Sequence, residues 1–99
     1  MMTRFDRKGE AVTVEEWEKL FNSEDYRRID LTHVGGYDVS TVWLGIDYSI
    51  GGNPPLIFET MIFGDGELDT YMWRYSTEEA AKRGHDIVVT ALREGRKPE

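Results

Sequence analysis

Apolar and polar residues change their spacing along the chain, and each change marks a predicted element. The segment 6–9 begins with aspartate and ends with glycine, which favours a small hairpin or hooked turn. Thr13 and Glu16 then have the spacing of a capping box, and apolar residues follow at helical intervals. This pattern predicts a short helix from about Val14 to Phe21, ended by residues 22–25.

Four later segments have the alternation or the β-branched and aromatic content of strands, namely 26–34, 37–47, 56–63 and 68–75. Gly35 and Gly36 form a two-residue connection typical of a tight hairpin. The segment 49–55 is rich in glycine and proline and is predicted to be irregular, and 64–66 is predicted to turn. We therefore expect about four antiparallel strands joined mostly by short turns.

The last predicted element is a longer helix that begins at a second capping box in residues 76–79 and ends at Gly95. Its residues form one continuous apolar face: Ala80, Ala81, Gly84, Ile87, Val88, Ala91 and Leu92. Part of this face is predicted to lie in the core together with Trp17, namely Ala81, Gly84, Val88 and Leu92. The order helix, strands, helix predicts a single α+β domain over residues 1–95, with 96–99 as a frayed tail.

The predicted strands are apolar on both sides, so the sheet has more apolar surface than one long helix covers. In one interpretation both helices, the amino-terminal hook and the Pro-rich loop bury both faces. In another, an aromatic patch stays exposed for a protein partner or a second copy, while a ligand cleft is a third alternative. The partner-binding residues predicted for this patch are Trp43, Tyr71, Trp73 and Tyr75. A two-fold homodimer through Trp43, Tyr71 and Trp73 is predicted from the same pattern.

Composition excludes several classes of function. The 99 residues include 19 acidic and 12 basic side chains, giving a formal charge of −7, which argues against nucleic-acid binding and against docking on anionic membranes. With no cysteine, the chain has no disulfide, thiolate zinc site or cysteine nucleophile. No apolar run has the length of a membrane span, and residues 1–6 lack the apolar stretch of a signal peptide, so we expect a soluble, cytoplasmic protein.

Candidate catalytic chemistry is sparse. His33 and His85 are far apart in sequence and belong to no paired-histidine motif, and His85 is expected to fill the edge of the core. Asp47 and Glu59 are carboxylates in apolar surroundings, which would suit an acid–base pair, or Glu59 pairs with Arg74 or Arg28. We therefore predict no tightly bound metal and no cofactor.

Two central runs carry a resemblance to a known group, VSTVWLGID at 39–47 and GNPPLIFETMIFG at 52–64. Flanking runs add to it: FDRKG at 5–9, EW at 16–17, RYSTEEA at 74–80 and GH at 84–85. With these runs the chain resembles a group of small uncharacterised proteins encoded by actinobacterial phages. In that group the position after Asp47 is often histidine, whereas here it is Tyr48, so a metal-binding or catalytic role does not transfer to it. The resemblance implies a phage origin and no particular activity.

Three functions follow as hypotheses. The leading one is a non-enzymatic, phage-encoded accessory protein that binds another protein, or itself, in the host cytoplasm. The second is an acidic mimic of nucleic acid that inhibits a host defence or DNA-binding protein, although basic residues are interspersed among the acids. The third is a small metal-assisted enzyme using Asp47, Glu59 and His85.

Overall fold

The elements of the fold follow the predicted order, with short additions near the amino terminus. The computed structural model describes residues 2–47, 54–64 and 66–98. The elements in chain order are β1 (Arg4–Phe5), β2 (Ala11–Val12), α1 (Val14–Phe21), α2 (Glu24–Arg27), β3 (Arg28–Val34), β4 (Tyr37–Trp43), β5 (Phe58–Phe63), β6 (Met72–Tyr75) and α3 (Glu78–Arg93). The predicted irregular segment 49–55 lies outside the described residues except for Pro54 and Pro55, and so does Asp65 of the predicted turn.

Strands β3 to β6 form one antiparallel sheet in sequence order, and β1 pairs with β2 in a separate two-stranded sheet. The main sheet, the short amino-terminal helix and the longer carboxyl-terminal helix confirm the α+β class. The predicted hook is the β1–β2 hairpin, which Gly9 closes at φ +85° by donating its N–H to the Asp6 carbonyl at 3.0 Å. Gly35 has φ +59°, which suits the tight turn between β3 and β4.

Side-chain caps begin both longer helices. At α1, the Glu16 N–H donates to Thr13 Oγ1 at 3.1 Å and the Thr13 N–H donates to Glu16 Oε1 at 3.2 Å, so the predicted capping box is confirmed. At α3 the cap is Thr77, whose hydroxyl accepts the Ala80 N–H at 3.1 Å. The third helical position there is alanine, so α3 has only the hydroxyl half of a capping box.

Helix α3 covers one face of the main sheet, and the core lies between them. One group of buried residues comprises Val34, Val39, Ile62, Leu68, Val88 and Val89. A second group joins α3 to the amino-terminal part of the chain and comprises Trp43, Ile57, Phe58 and Ala81, against which Trp17 and Phe21 of α1 pack. Helix α1 therefore covers one end of the same sheet face that α3 covers.

All four predicted strands are shorter than expected: β3 begins at Arg28, β4 ends at Trp43, β5 begins at Phe58 and β6 begins at Met72. At two of the lost ends the chain forms other local structure. Residues 24–27 form the short helix α2, because the Ser23 hydroxyl caps it by accepting the Tyr26 N–H at 3.2 Å. Residues 67–70 form turns, in which the Tyr71 N–H donates to the Leu68 carbonyl at 3.1 Å, so β6 begins only at Met72. In both places local hydrogen bonds, from a side-chain cap in one and within the backbone in the other, replace the expected sheet pairing.

The carboxyl-terminal segment also differs from the prediction. Ile87, assigned to the apolar face of the helix but not to its core part, is 65% exposed, because α3 presents His85, Val88 and Val89 to the sheet. The expected frayed tail is held against the domain through residue 98. The Arg96 N–H donates to the Ala91 carbonyl at 2.8 Å, and Pro98 is fully buried.

Candidate protein-interaction surface

The predicted aromatic patch lies on the covered side of the sheet. Trp43 is fully buried, with its ring 4.9 Å from that of Tyr26 in an edge-to-face contact, so its assignment to an exposed surface is wrong. Tyr71 and Trp73 stack on each other at 5.7 Å and pack against the α3 core. Tyr75 lies against Gly84, where an added methyl group would overlap its ring. These rings are partly or fully used by the core, because alternation along β4 and β6 turns them toward α3.

The opposite face of the sheet carries the exposed apolar side chains. Leu31, Phe63 and Met72 are 40%, 50% and 47% exposed, and they are three of the six exposed large apolar residues among those described. Strand pairing places Leu31 beside Ser40, Ser40 beside Met61, and Met61 beside Met72. This central row crosses all four strands. We call the surface around it the open face.

Charged residues flank the central row of the open face on both sides. On one side, Arg74 Nε donates to Glu59 Oε2 at 3.2 Å, which confirms the predicted pairing of Glu59. Arg28 lies on the same side, with its guanidinium 3.6 Å from the Glu24 carboxylate in an exposed pair. On the other side, His33 and Asp38 contact each other across β3 and β4. The open face therefore has a central row that is apolar except for Ser40, and it is charged at both ends.

His85 occupies the middle of the covered face instead of an accessible site. Its Nδ1 lies 2.8 Å from Thr41 Oγ1, its Nε2 lies 2.8 Å from Thr32 Oγ1, and its side chain is fully buried. A neutral imidazole has one donor and one acceptor nitrogen, and the two hydroxyls can match both. Burial lowers the pKa of His85 below its ordinary value of 6.5, while the nearby carboxylates of Asp30 and Asp86 act in the opposite direction. Its placement in the core agrees with the structural role predicted for it.

The residues of the hypothetical metal-assisted enzyme are not brought together. Glu59 alternates with the buried Phe58 and Thr60, so it lies on the open face, whereas His85 lies on the covered face. Asp47 follows Ile46, which bridges to Arg4 beyond the end of β4. Within residues 2–47, 54–64 and 66–98, no group of three histidine or acidic side chains could hold a metal ion.

Acidic side chains are interspersed with basic partners, as the sequence suggests. Arg7 binds Glu78 through two hydrogen bonds of 2.6 and 2.8 Å, which hold the pKa of the Glu78 carboxyl below its ordinary value. Further pairs join Lys82 to the same carboxylate and Arg96 to Glu94. These pairs weaken the case for a continuous acidic face of the kind that mimics nucleic acid.

The sequence did not identify the open face, because strand alternation groups side chains by face without showing which face a helix covers. The available signal was the strand alternation: Val39, Thr41 and Trp43 must share a face, and Thr41 is small enough to lie opposite His85 of α3. That assignment leaves Ser40 and Val42, and with them Met61 and Met72, on the other side.

No helix in the described part of the chain is long and apolar enough to cross a bilayer. Comparison of the chain with protein-family models, with curated proteins and with solved structures gives no match. The resemblance to small phage proteins therefore stays a prediction, and the functional argument rests on the geometry of the chain itself.

Proposed function

We propose that this is a non-enzymatic binding protein whose open face docks on a protein surface, and that the occupant of this face is a second copy of the chain. The observation that carries the proposal is the row of Leu31, Met61 and Met72 across the sheet, with Phe63 beside it. Methionine and aromatic side chains are enriched in protein interfaces, and exposed apolar surface of this kind commonly marks a binding site.

The charges at the two ends of the open face favour a two-fold partner. Arg28 lies at one end and Asp38 at the other, with the apolar row between them. In this dimer two sheets stack open face to open face, and the two-fold axis lies between them, parallel to the row. Rotation about this axis places each end of the open face of one copy over the opposite end of its partner. Arg28 then approaches Asp38 of the partner subunit twice, and the apolar row stacks on itself.

The size of the open face indicates a weak dimer. The four strands contain 24 residues in all, and at about 3.3 Å per residue and about 4.8 Å between strands they give a footprint of roughly 380 Å² per copy. Two copies would bury on the order of 800 Å², which is below the roughly 1,200 Å² where stable interfaces begin. We therefore expect dissociation in the micromolar range or above, so that monomer and dimer coexist in solution.

The resemblance to phage proteins would place this binding in the cytoplasm of an infected host cell, with a host protein as the alternative occupant of the same face. This part of the proposal rests on the resemblance alone. Nothing in the geometry specifically favours the nucleic-acid mimic or the metal-assisted enzyme.

Sedimentation equilibrium over a wide range of concentration tests the proposal. The wild-type protein should show a mass that rises from 11.5 kDa toward twice that value. Met72→Glu places a charge in the apolar row and should keep the protein monomeric, since two buried carboxylates would face each other across the axis. Ile87→Glu is the matched control, because Ile87 is an exposed apolar residue on the outer side of α3.

The control should associate as the wild type does. A wild-type mass that stays at 11.5 kDa at every concentration would contradict a second copy as the occupant. Equal loss of association in Met72→Glu and Ile87→Glu would show that the open face is not the interface.

A further inference from the structure

A cleft lies at the carboxyl-terminal end of α3, separate from the open face. It lies between this helix end, the β3–β4 turn and the segment that contains Glu67 and Leu68. Its volume of about 580 Å³ falls within the range of small-molecule sites, roughly 300–1,000 Å³. The cleft is on the α3 side of the sheet, since Val34 and Leu68 of its lining belong to the core beneath α3.

The inner wall of the cleft is apolar and its mouth is open. Val34, Leu68, Leu92 and the ring of Tyr37 line it. At the mouth, a methyl group added to Gly35 or Gly36 would meet nothing within 4 Å. Val34 and Leu68 are 8% and 6% exposed, so a hydrophobic body that enters past the turn would bury apolar surface mainly against Leu92 and the ring of Tyr37.

The rim of the cleft is cationic, in contrast to the chain as a whole. Arg93, Arg96 and Lys97 line it together with a single carboxylate, Glu67. Arg96 is engaged by Glu94 at 2.6 Å. Neither Arg93 nor Lys97 has an ion pair with a carboxylate in the part of the chain that the structure describes. In a protein with a formal charge of −7, this places two available cations at the edge of an apolar recess.

The backbone fixes where these two residues lie. Arg93 is the last residue of α3, where a cation also suits the negative end of the helix. Lys97 lies beyond the helix and is held in place because Arg96 bonds back to Ala91 and the following Pro98 is fully buried.

We propose that this cleft binds a small organic anion with an apolar body. The anionic group would contact Arg93 and Lys97, and the hydrocarbon or aromatic part would lie against Leu92 and the ring of Tyr37. This assignment uses no residue of the open face, so it does not depend on the proposed dimer.

Isothermal titration calorimetry with 2-naphthoate and decanoate tests the proposal, with the neutral 2-naphthamide as the uncharged probe. We expect at least one of the two carboxylates to bind saturably, at one site per chain. Where 2-naphthoate binds, 2-naphthamide should bind about tenfold or more weakly than it does. The double variant Arg93→Gln/Lys97→Gln should weaken carboxylate binding by about tenfold or more. The matched control is Lys19→Gln/Arg83→Gln, which makes the same change of net charge at two exposed helical residues outside the cleft.

The control should bind the carboxylate within about twofold of the wild type, because long-range charge alone is screened by salt. Amide chemical-shift changes on titration should include Gly35, Gly36 and Gly95, which line the cleft. Failure of both carboxylates to bind, or equal weakening in the two double variants, would overturn the proposal. Shift changes confined to the open face would do the same.

Discussion

At the scale of single residues, the interface between α3 and the sheet has a polar centre. His85 contacts Thr41 and Thr32, and Thr41 Oγ1 lies 2.6 Å from Thr60 Oγ1. Every member of such a buried network needs a partner, since an unmatched polar group in the core costs about 1–3 kcal/mol. The network therefore determines the position in which α3 packs on β3, β4 and β5.

The lowered pKa of His85 predicts a specific dependence of stability on pH. The unfolded chain takes up a proton near the ordinary pKa of 6.5, and the folded protein does so only at lower pH. The contribution of His85 to the free energy of unfolding should therefore be fully present above about pH 6.5. It should decrease as the pH drops below that value, by up to about 1.4 kcal/mol per pH unit. His85→Gln removes the titrating group and should show a smaller decrease between pH 7.5 and 5.

Urea unfolding of both proteins at several pH values measures this difference. The two proteins differ only at position 85, so the difference between their profiles reports on His85 and on its contact with Asp30, whose Oδ2 lies 3.6 Å from His85 Nε2. Parallel pH profiles for the wild type and His85→Gln would show that His85 takes up its proton as easily in the folded protein as in the unfolded chain.

At the scale of elements, α1 is joined to the sheet at one tight contact. The Trp17 indole N–H donates to the Leu44 carbonyl at 3.0 Å, and the next residue, Gly45, has φ +75°. A methyl group at Gly45 would lie 2.5 Å from atoms of both Trp17 and Trp43. This close approach requires glycine for its small size as well as for its backbone conformation.

Gly45→Ala should therefore be much more destabilising than the same change at Gly9. Gly9 also has positive φ, at +85°, but a methyl group there meets nothing within 4 Å. Gly9→Ala should cost about 1–2 kcal/mol from backbone strain, whereas Gly45→Ala should cost about 3 kcal/mol or more, because overpacking is added to the strain. Thermal unfolding of the two variants measures the difference. Equal losses of stability in Gly9→Ala and Gly45→Ala would contradict the close packing of Trp17 against Gly45.

The elements that could be predicted are those whose signals are local. Helix α1 has the predicted bounds, because the capping box at Thr13 and the apolar spacing after it agree. The β3–β4 hairpin likewise follows from Gly35 and Gly36. The start of β6 could not be predicted in this way, because Leu68 and Tyr71 are as suited to a strand as to the turns that they form. The helical turn at 24–27 had a signal in Ser23, which the alternation of the following residues obscured.

At the scale of the whole molecule, the arrangement of layers decides which side chains remain available. One long helix and one short helix both cover the same sheet face, so the other face is left with Leu31, Phe63 and Met72 exposed. The sequence predicted an excess of apolar strand surface. It could not predict which face carries that excess, because this depends on where α3 and α1 pack. Trp43 was misplaced for that reason.

Cross-linking of a single introduced cysteine tests the proposed face-to-face dimer most directly, because the chain has no cysteine of its own. Ser40 lies in the central row of the open face, so in the two-fold dimer it faces Ser40 of the partner subunit across stacked sheets about 10 Å apart. A bismaleimide with a short linker should join Ser40→Cys chains rapidly into a covalent dimer. Thr90→Cys, on the exposed side of α3, should react with the reagent without forming dimers. Cross-linking of Ser40→Cys no faster than that of Thr90→Cys would contradict the open face as the site of self-association.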